Sequence, residues 1–340
     1  MEKLNKLYFQ TYGTSPDKIV PLRSDGSDRK IYRIYKNTDT VIGIIGDNRE
    51  ENEAFLEFSR HFRSFNLKVP EIYAQNLDQS TYLEEDLGDD TLFEWMFRIR
   101  DQRGFNDEIK QMYRKVVEVL PHFQITAGVS IDYSYCYQHI AFARESMSWD
   151  LHYFKHRFLN YFYKKKIDHT NLEKDFNILI DFLLEEEPAY FLYRDFQSRN
   201  VMIKNNEPHF IDYQSGRRGA LQYDLASLLY DAKADLPEDF RQELIDHYIE
   251  RTQKIIDLDA SRFKKYLFGF ILIRIMQAFG AYGYLSAVKG KTHFFRSVPY
   301  AVKNLEILCQ KNADILNKMD TLKSIYQNLT DDKTLREFNE

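Results

Sequence analysis

The chain has 340 residues, 29 % of them charged, and a formal net charge of −5. That length can bury a substantial core and supports two lobes rather than one small domain. The acidic balance argues against non-specific nucleic-acid binding, which needs a basic face. Two cysteines, Cys136 and Cys309, stand far apart without metal spacing, so neither a disulfide framework nor a zinc site is expected. The opening MEKLNKLYFQ lacks the apolar core of a signal peptide. The most apolar stretch, Leu267 to Leu285, is interrupted by Arg274 and Gln277 and reads as a buried core helix rather than a membrane span. The 24 Tyr and 26 Phe point to an aromatic-rich core. Together these features predict a soluble, cytoplasmic protein with neither membrane nor nucleic acid as partner.

In chain order, residues 1 to 19 read as a short amphipathic helix with Leu4, Leu7 and Tyr8 at helical spacing. Val20 to Ile45 reads as three strands, with a Gly/Ser-rich loop at Ser24 to Lys30 between the first two. Such a loop is a plain turn or a phosphate-cradling one, since its backbone N–H groups can face an anion. Glu50 to Phe65 is a helix with Ala54, Phe55, Phe58 and Phe62 as its apolar stripe. Its Glu50, Glu53 and Glu57 share another face, read mainly as a solvated one. Pro70 marks the approach to a further strand, and Ser80 to Gly88 is a strand running into an acidic turn. Thr91 to Arg100 and Asn106 to Gln124 are helical by period. Asp132 to Lys166 interleaves aromatic residues with Arg144, Glu145 and Asp150, and core packing is the expected role of most of them. Helices are predicted over Asp175 to Glu187, Leu225 to Asp231, Phe240 to Thr252, Arg262 to Val288 and Phe294 to Leu308.

The most informative stretch is Phe191 to Gln214, FLYRDFQSRNVMIKNNEPHFIDYQ. It holds Asp195, Asn200 five residues later, and Asp212 twelve after that. Asn205 to Pro208 has turn chemistry, flanked by the β-rich runs Val201 to Ile203 and His209 to Ile211. The expectation is a loop carrying Asp195 and Asn200, a hairpin, and Asp212 at the end of its second strand. Two carboxylates and a carboxamide then meet at one end of a small sheet. Magnesium prefers hard oxygen ligands and keeps several waters, so Asn200 and Asp212 suit it. Asp195, outside the metal's ligands, can orient a hydroxyl and take its proton. Protein kinases use the same grouping for phosphoryl transfer.

Tyr193 to Asn200 (YRDFQSRN), Ile211 to Gln214 (IDYQ) and Gly219 to Leu229 (GALQYDLASLL) resemble the catalytic segment of the aminoglycoside/choline phosphotransferase superfamily. Within it, the sugar kinases acting on the anomeric hydroxyl of N-acetylmuramate and N-acetylglucosamine are most similar. Their pattern is R-D-x-x-x-R-N-x-M, then I-D-F-Q, then Y-D-x-x-S-L-L. The resemblance runs from about Val20 to Leu308. Tyr193 departs from it, standing where the family commonly has a mostly structural His.

The resemblance implies an α+β, protein-kinase-like fold of two lobes. A small β-sheet lobe over residues 1–85 binds the nucleotide. A larger, mainly helical lobe over 86–320 carries the catalytic hairpin and the acceptor pocket, and 321–340 is left as a polar tail. It places the phosphates near Gly26, Ser27 and Arg29, and the adenine near Glu84, Glu85, Asp86 and Leu87, where Asp86 and Gly88 match a D-L-G pattern. ATP is the implied co-substrate and Mg2+ the cofactor. Arg199 either braces the loop or touches phosphate. Glu145, Trp149, Asp150, Gln197 and Arg274 are the implied acceptor contacts, and Asp224 has a structural role. The third strand, TVIGIIGD, holds no Lys where protein kinases carry the phosphate-pairing one. Arg29, Lys30 and Arg33 are the candidate replacements.

The expected activity is transfer of the ATP γ-phosphoryl group to a small-molecule hydroxyl, with an amino sugar as acceptor. The alternatives are a kinase for an aminoglycoside or choline-like alcohol, whose cationic substrate would favour a pocket rich in acids, and a non-catalytic nucleotide-binding regulatory module. The missing strand Lys motivates the module; the intact Asp195, Asn200 and Asp212 set argues against it. A protein kinase is disfavoured because no A-P-E follows Asp212.

Overall fold

The computed structural model describes residues 1–22, 29–311 and 314–336. Gly26 and Ser27, expected beside the phosphates, lie outside the described residues.

Helix α1 (Glu2–Tyr12) is stopped by Gly13, whose φ of 70° suits a left-handed helix cap. It is therefore shorter than the predicted 1–19, and residues 18 and 19 belong to a strand. Strands β1 (Lys18–Pro21), β2 (Lys30–Lys36) and β3 (Asp39–Ile45) follow. Helix α2 (Arg49–Ser64) starts at Asn48, whose side chain accepts the Glu51 N–H. Next come β4 (Ile72–Asn76), β5 (Thr81–Glu85), α3 (Leu92–Arg103) and α4 (Asp107–Pro121). Thr91 and Asn106 cap the last two helices. Helix α5 (Arg144–Phe154) runs through one wider π turn into the short α6 (Asn160–Phe162). Helix α7 (His169–Leu183) begins six residues before the predicted Asp175 because Asp168 is its N-cap. Strands β6 (Tyr190–Leu192), β7 (Val201–Lys204), β8 (Glu207–Phe210) and β9 (Arg217–Gly219) lead to α8 (Gln222–Leu229), α9 (Glu238–Gln253), α10 (Ala260–Gly283), α11 (Val298–Gln310), α12 (Asp320–Asp331) and α13 (Lys333–Arg336).

The chain forms two compact units. The first holds residues 1–140 and 193–217, so the β7–β8 hairpin groups with the N-terminal sheet. The second holds 141–192 and 218–340.

In the first unit, β1 to β5 make one sheet in the order β1-β2-β3-β5-β4, with every neighbouring pair antiparallel. Leu4, Leu7 and Tyr8 of α1 pack on Ile34 and Leu83, covering one face. Helix α2 covers the other through Phe55, stacked on Tyr82 with ring centroids 5.6 Å apart. Strands β7 and β8 turn at Asn205 and Asn206, both at positive φ, as a two-residue hairpin turn requires.

The second unit is mainly helical. Helix α10 runs through it, and its extended apolar stretch Ala260–Val288 is long and apolar enough to cross a membrane by composition alone. Of its most apolar window, 78 % is buried inside the unit, the behaviour of a core helix. Gly280 and Gly283 let α10 approach the α5 segment: a Cβ on Gly283 would lie 1.9 Å from the Arg157 carbonyl oxygen. The expected polar tail is in part folded. Leu322, Ile325, Tyr326 and Leu329 form a buried stripe on α12, and the Leu322 N–H donates to the Asp175 carboxylate at 2.8 Å. Helical spacing of apolar residues outweighs the polar average there.

Gly283→Ala should therefore lower stability by about 1–3 kcal/mol, the usual cost of overpacking a tight contact. Urea unfolding should show a lower midpoint with an unchanged slope.

Candidate active site

The catalytic stretch is held from below by rings. Phe55 stacks on Tyr213 with 5.0 Å between centroids and 7° between planes. Phe62 meets Tyr213 edge-on. Phe123 meets Phe62, Tyr193 and Phe210 edge-on, and Phe196 stacks on Phe210. The buried phenols are not left as unmet donors. The Tyr213 hydroxyl pairs with Ser59 Oγ at 2.5 Å, and the Tyr193 hydroxyl donates to the Ile211 carbonyl at 2.5 Å. Tyr193 thus braces the residue before Asp212, and its substitution for the family's His keeps a structural role at that position.

On this base the loop from Tyr193 to Asn200 and the end of β8 converge. Asn200 Nδ2 donates to the Asp195 carbonyl at 2.8 Å and to Asp212 Oδ2 at 3.1 Å. The Asn200 N–H donates to the Gln197 carbonyl at 2.9 Å, and the Ile211 N–H to the Asn200 carbonyl at 3.1 Å. Arg194, just before Asp195, has φ 80°, and Asp212 has φ 69°. Non-glycine residues in that region carry roughly 1–3 kcal/mol of strain each, which persists where surrounding packing fixes them.

Arg29 joins this cluster from the sheet. One of its terminal nitrogens lies 2.8 Å from Asp212 Oδ1, its Nε is 3.5 Å from Glu51 Oε1, and its other terminal nitrogen donates to the Tyr82 hydroxyl at 3.4 Å. Burial alone would lower its pKa; Tyr82, Asp212 and Glu51 outweigh that and hold it above the ordinary value. Gln214 Nε2 bridges Asp212 Oδ1 at 2.9 Å and Glu51 Oε1 at 3.3 Å. Of the three candidate replacements for the strand lysine, Arg29 is the one within this cluster. Arg33 instead clasps Asp86 through two hydrogen bonds of 2.6 and 3.0 Å, and Lys30 is exposed.

The side chains of the other expected residues are placed as follows. Asp86 is spent on Arg33 and on the Gly88 N–H, so its carboxylate holds the turn. Glu85 pairs with Lys204 at 2.7 Å, and Leu87 is buried. Glu84 is unusual: Oε2 is fully enclosed and has no hydrogen-bond partner. Burial pushes its carboxyl up to about 8, against the opposing pull of Arg29. The Arg199 guanidinium lies over the Phe93 ring, 5.8 Å from its centroid, which fits bracing of the loop against α3. The other candidates stand in the second unit. Glu145 is exposed in the first turn of α5, and Trp149 is 58 % exposed and stacked on Tyr153. Asp150 and Asp224 are fully buried. Arg274 is buried beside Ser227 and Gln277.

Glu51 was missed in favour of Glu50, Glu53 and Glu57. The signal was present, because Glu51 continues the 55-58-62 stripe one turn toward the N-terminus. Gln214 and Tyr82 join the same cluster without a distinct signal in the sequence.

Asn200 and Asp212 fit a hard divalent cation, supplying one carboxylate and one carboxamide and leaving coordination sites for water or phosphate oxygens. Asn200 Oδ1 accepts from no protein group among the described residues, so the amide's oxygen remains for a ligand while its nitrogen fixes the side chain. Asp195 stands beside that pair, half-buried on a loop.

A small antiparallel sheet with one inner helix, followed by a loop and hairpin carrying Asp, Asn and Asp, defines a kinase-like phosphotransferase. The chain belongs to the phosphotransferase enzyme family, whose description matches residues 18–262. It is a small-molecule phosphotransferase with an α+β, two-lobe kinase-like fold. It is 24 % identical over 323 residues to an N-acetylmuramate/N-acetylglucosamine kinase of Pseudomonas aeruginosa, covering 92 % of this chain and 90 % of that one. Its fold is similar to that of choline kinase from Cryptosporidium parvum, with TM-score 0.57, 15 % identity, and 91 % and 93 % of the two chains covered. It is also similar to an amicoumacin kinase solved in complex with AMP-PNP, Ca2+ and Ami, with TM-score 0.58, 12 % identity, and 98 % and 93 % covered.

The Glu84 carboxyl sets a pH dependence. Its folded pKa, about 8, exceeds the ordinary 4.5, so between those values the folded state keeps a proton that the unfolded state releases. Stability should therefore fall as pH rises through that window, by up to about 1.4 kcal/mol per pH unit. Glu84→Gln should be more stable than the parent at pH 8, and the gap should close toward pH 5, read as urea midpoints.

Proposed function

We propose that this phosphotransferase moves the γ-phosphoryl group of Mg-ATP to a hydroxyl of an amino sugar, with N-acetylmuramate and N-acetylglucosamine as the first acceptors to test. The observation that carries the catalytic reading is the hydrogen-bonded cluster of Asp195, Asn200 and Asp212 beside the Arg29–Glu51 pair. Asp195 orients the acceptor hydroxyl. As the oxygen bonds to the γ-phosphorus and the bond to ADP breaks, the hydroxyl proton passes to the Asp195 carboxylate. Asn200 and Asp212 hold the divalent ion, which when bound neutralises phosphate charge. Arg29, oriented by Glu51, is the phosphate-side cation, the work a strand lysine does in protein kinases.

The remaining assignments belong to the same reading. The nucleotide-binding lobe ends near residue 86, with the base close to Glu84 through Leu87, and Gly26 and Ser27 belong to the phosphate loop. Gln197, Glu145, Trp149, Asp150 and Arg274 are acceptor-side candidates, and a cytoplasmic location suits an ATP-dependent enzyme. The amino-sugar choice is supported by the match along most of both chains to the Pseudomonas aeruginosa kinase and by the RDFQSRN and IDYQ motifs.

A coupled ADP-release assay with Mg-ATP and a panel of N-acetyl sugars, hexoses, aminoglycosides and choline-like alcohols tests the reading. Release should be strongest with an N-acetyl sugar. Asp195→Asn should cut turnover roughly 10²- to 10⁴-fold, the range for loss of a general base, with Mg-ADP affinity nearly intact. Full turnover in that variant would refute the assignment of Asp195. Asp212→Ala should instead weaken magnesium-dependent nucleotide binding, measured by titration calorimetry with and without the ion.

A further inference from the structure

We infer that Arg29 is the resident counter-ion of Asp212 and is drawn off by the nucleotide phosphates before that carboxylate holds a divalent ion at full strength, so that the ion is taken up with the nucleotide rather than ahead of it. The inference rests on the assignment above of Asn200 and Asp212 to the ion and of Arg29 to phosphate. Every residue it uses belongs to the first unit.

The Asp212 carboxylate is already engaged on both oxygens. Oδ1 accepts from an Arg29 terminal nitrogen at 2.8 Å and from Gln214 Nε2 at 2.9 Å, and Oδ2 accepts from Asn200 Nδ2 at 3.1 Å. Each carboxylate oxygen offers about two acceptor positions, so Oδ1 is filled and Oδ2 keeps one. The Asp212 side chain is 35 % exposed and that of Arg29 only 11 %, so the open side of the pair is the carboxylate. A divalent ion arriving there meets a guanidinium that already cancels the carboxylate's charge. An opposite charge within about 4–6 Å lowers a carboxylate's affinity for a proton by roughly 10- to 1000-fold, and it acts on a metal cation in the same sense.

The packing also decides which partner gives way. Asp212 is a short side chain on a backbone at φ 69°, and the next residue, Tyr213, is fixed by its stack on Phe55. Arg29 is long, and its Nε keeps a second acid, Glu51 Oε1, at 3.5 Å. That contact tethers the arginine, so its terminal nitrogens turn away from Asp212 without the side chain leaving the site. Gln214 Nε2 spans Asp212 Oδ1 and Glu51 Oε1 at 2.9 and 3.3 Å, so the two carboxylates stay linked when the guanidinium turns. Phosphate, a bidentate acceptor with more charge than a carboxylate, is the group that draws an arginine fork off an acid. The nucleotide brings both a new partner for Arg29 and further oxygens for the ion. Metal and nucleotide binding are therefore coupled through one side chain, and the coupling is reciprocal.

The test follows Mn2+, a paramagnetic ion with the oxygen preference of Mg2+, binding to the full-length protein with no nucleotide added. The readout is loss of the free-ion electron paramagnetic resonance signal. Arg29→Gln removes the charge and keeps amide donors, and it should bind Mn2+ roughly tenfold tighter than the parent. Arg29→Lys retains the charge and should stay near the parent. Adding Asp212→Asn to Arg29→Gln should abolish the gain. Equal or weaker Mn2+ binding in Arg29→Gln that is still lost with Asp212→Asn would overturn the inference and leave Asp212 as the metal ligand. Mn2+ binding indifferent to Asp212→Asn would refute the metal assignment and the inference with it. A measurement on the parent alone covers a variant that does not fold. At equal ionic strength, sulfate offers Arg29 an alternative anion and chloride a poorer one, so Mn2+ should bind several-fold tighter in sulfate. Equal affinities in the two salts would refute the displacement of Arg29.

Discussion

Arg29 is the point on which the site depends. It is the cation between Glu51 on α2 and Asp212 after β8, two half-buried carboxylates that it holds together. An ion pair with a part-exposed carboxylate adds little net stability. The pair therefore acts as a positioning device: it sets where α2 stands relative to Asp212. Protein kinases place this cation on the third strand. Here it enters from the residue before β2, next to Lys30, which pairs across the sheet with Ile45 at the end of β3. Gly46 lies beside the arginine stem: a Cβ there would sit 2.4 Å from Asn52 Oδ1 and 3.2 Å from Arg29 Cγ.

The aromatic content has a mechanical meaning in the first unit. Tyr82, Phe55, Tyr213, Phe62, Phe123, Phe210 and Phe196 form one continuous set of ring contacts beneath the catalytic loop. Aromatic pairs add about 0.5–1.5 kcal/mol beyond the area they bury, and their edge-on and stacked geometries are directional. That directionality suits a site whose donors must be fixed in place. It also provides the over-determined packing that keeps Arg194 and Asp212 at positive φ. The strain falls on the residue before Asp195 and on Asp212 itself, where the backbone turns beside the Asn200 side chain.

Local rules carried far along this chain. The Asn205–Asn206 turn, the strands beside it, the inner helix with its Phe stripe, and the spacing of Asp195, Asn200 and Asp212 were all readable, because each depends on turn chemistry or a short period. Element ends were less readable where a single cap decides them, as at Gly13 and Asp168. Helix α12 was not readable because a polar average hid its buried stripe.

By itself, the sequence determined the reaction class, since three groups at fixed spacing on a loop and hairpin need little beyond local geometry to meet. Only the tertiary structure decided which charges pair. It chose Glu51 over its three neighbours, Arg29 over Lys30 and Arg33, a clasp to Arg33 for Asp86, and neutral partners for Arg274. Ion pairing depends on where distant segments arrive and how much water remains around them. Glu51 and Asp212 meet Arg29 across intervals in the chain that no local period spans.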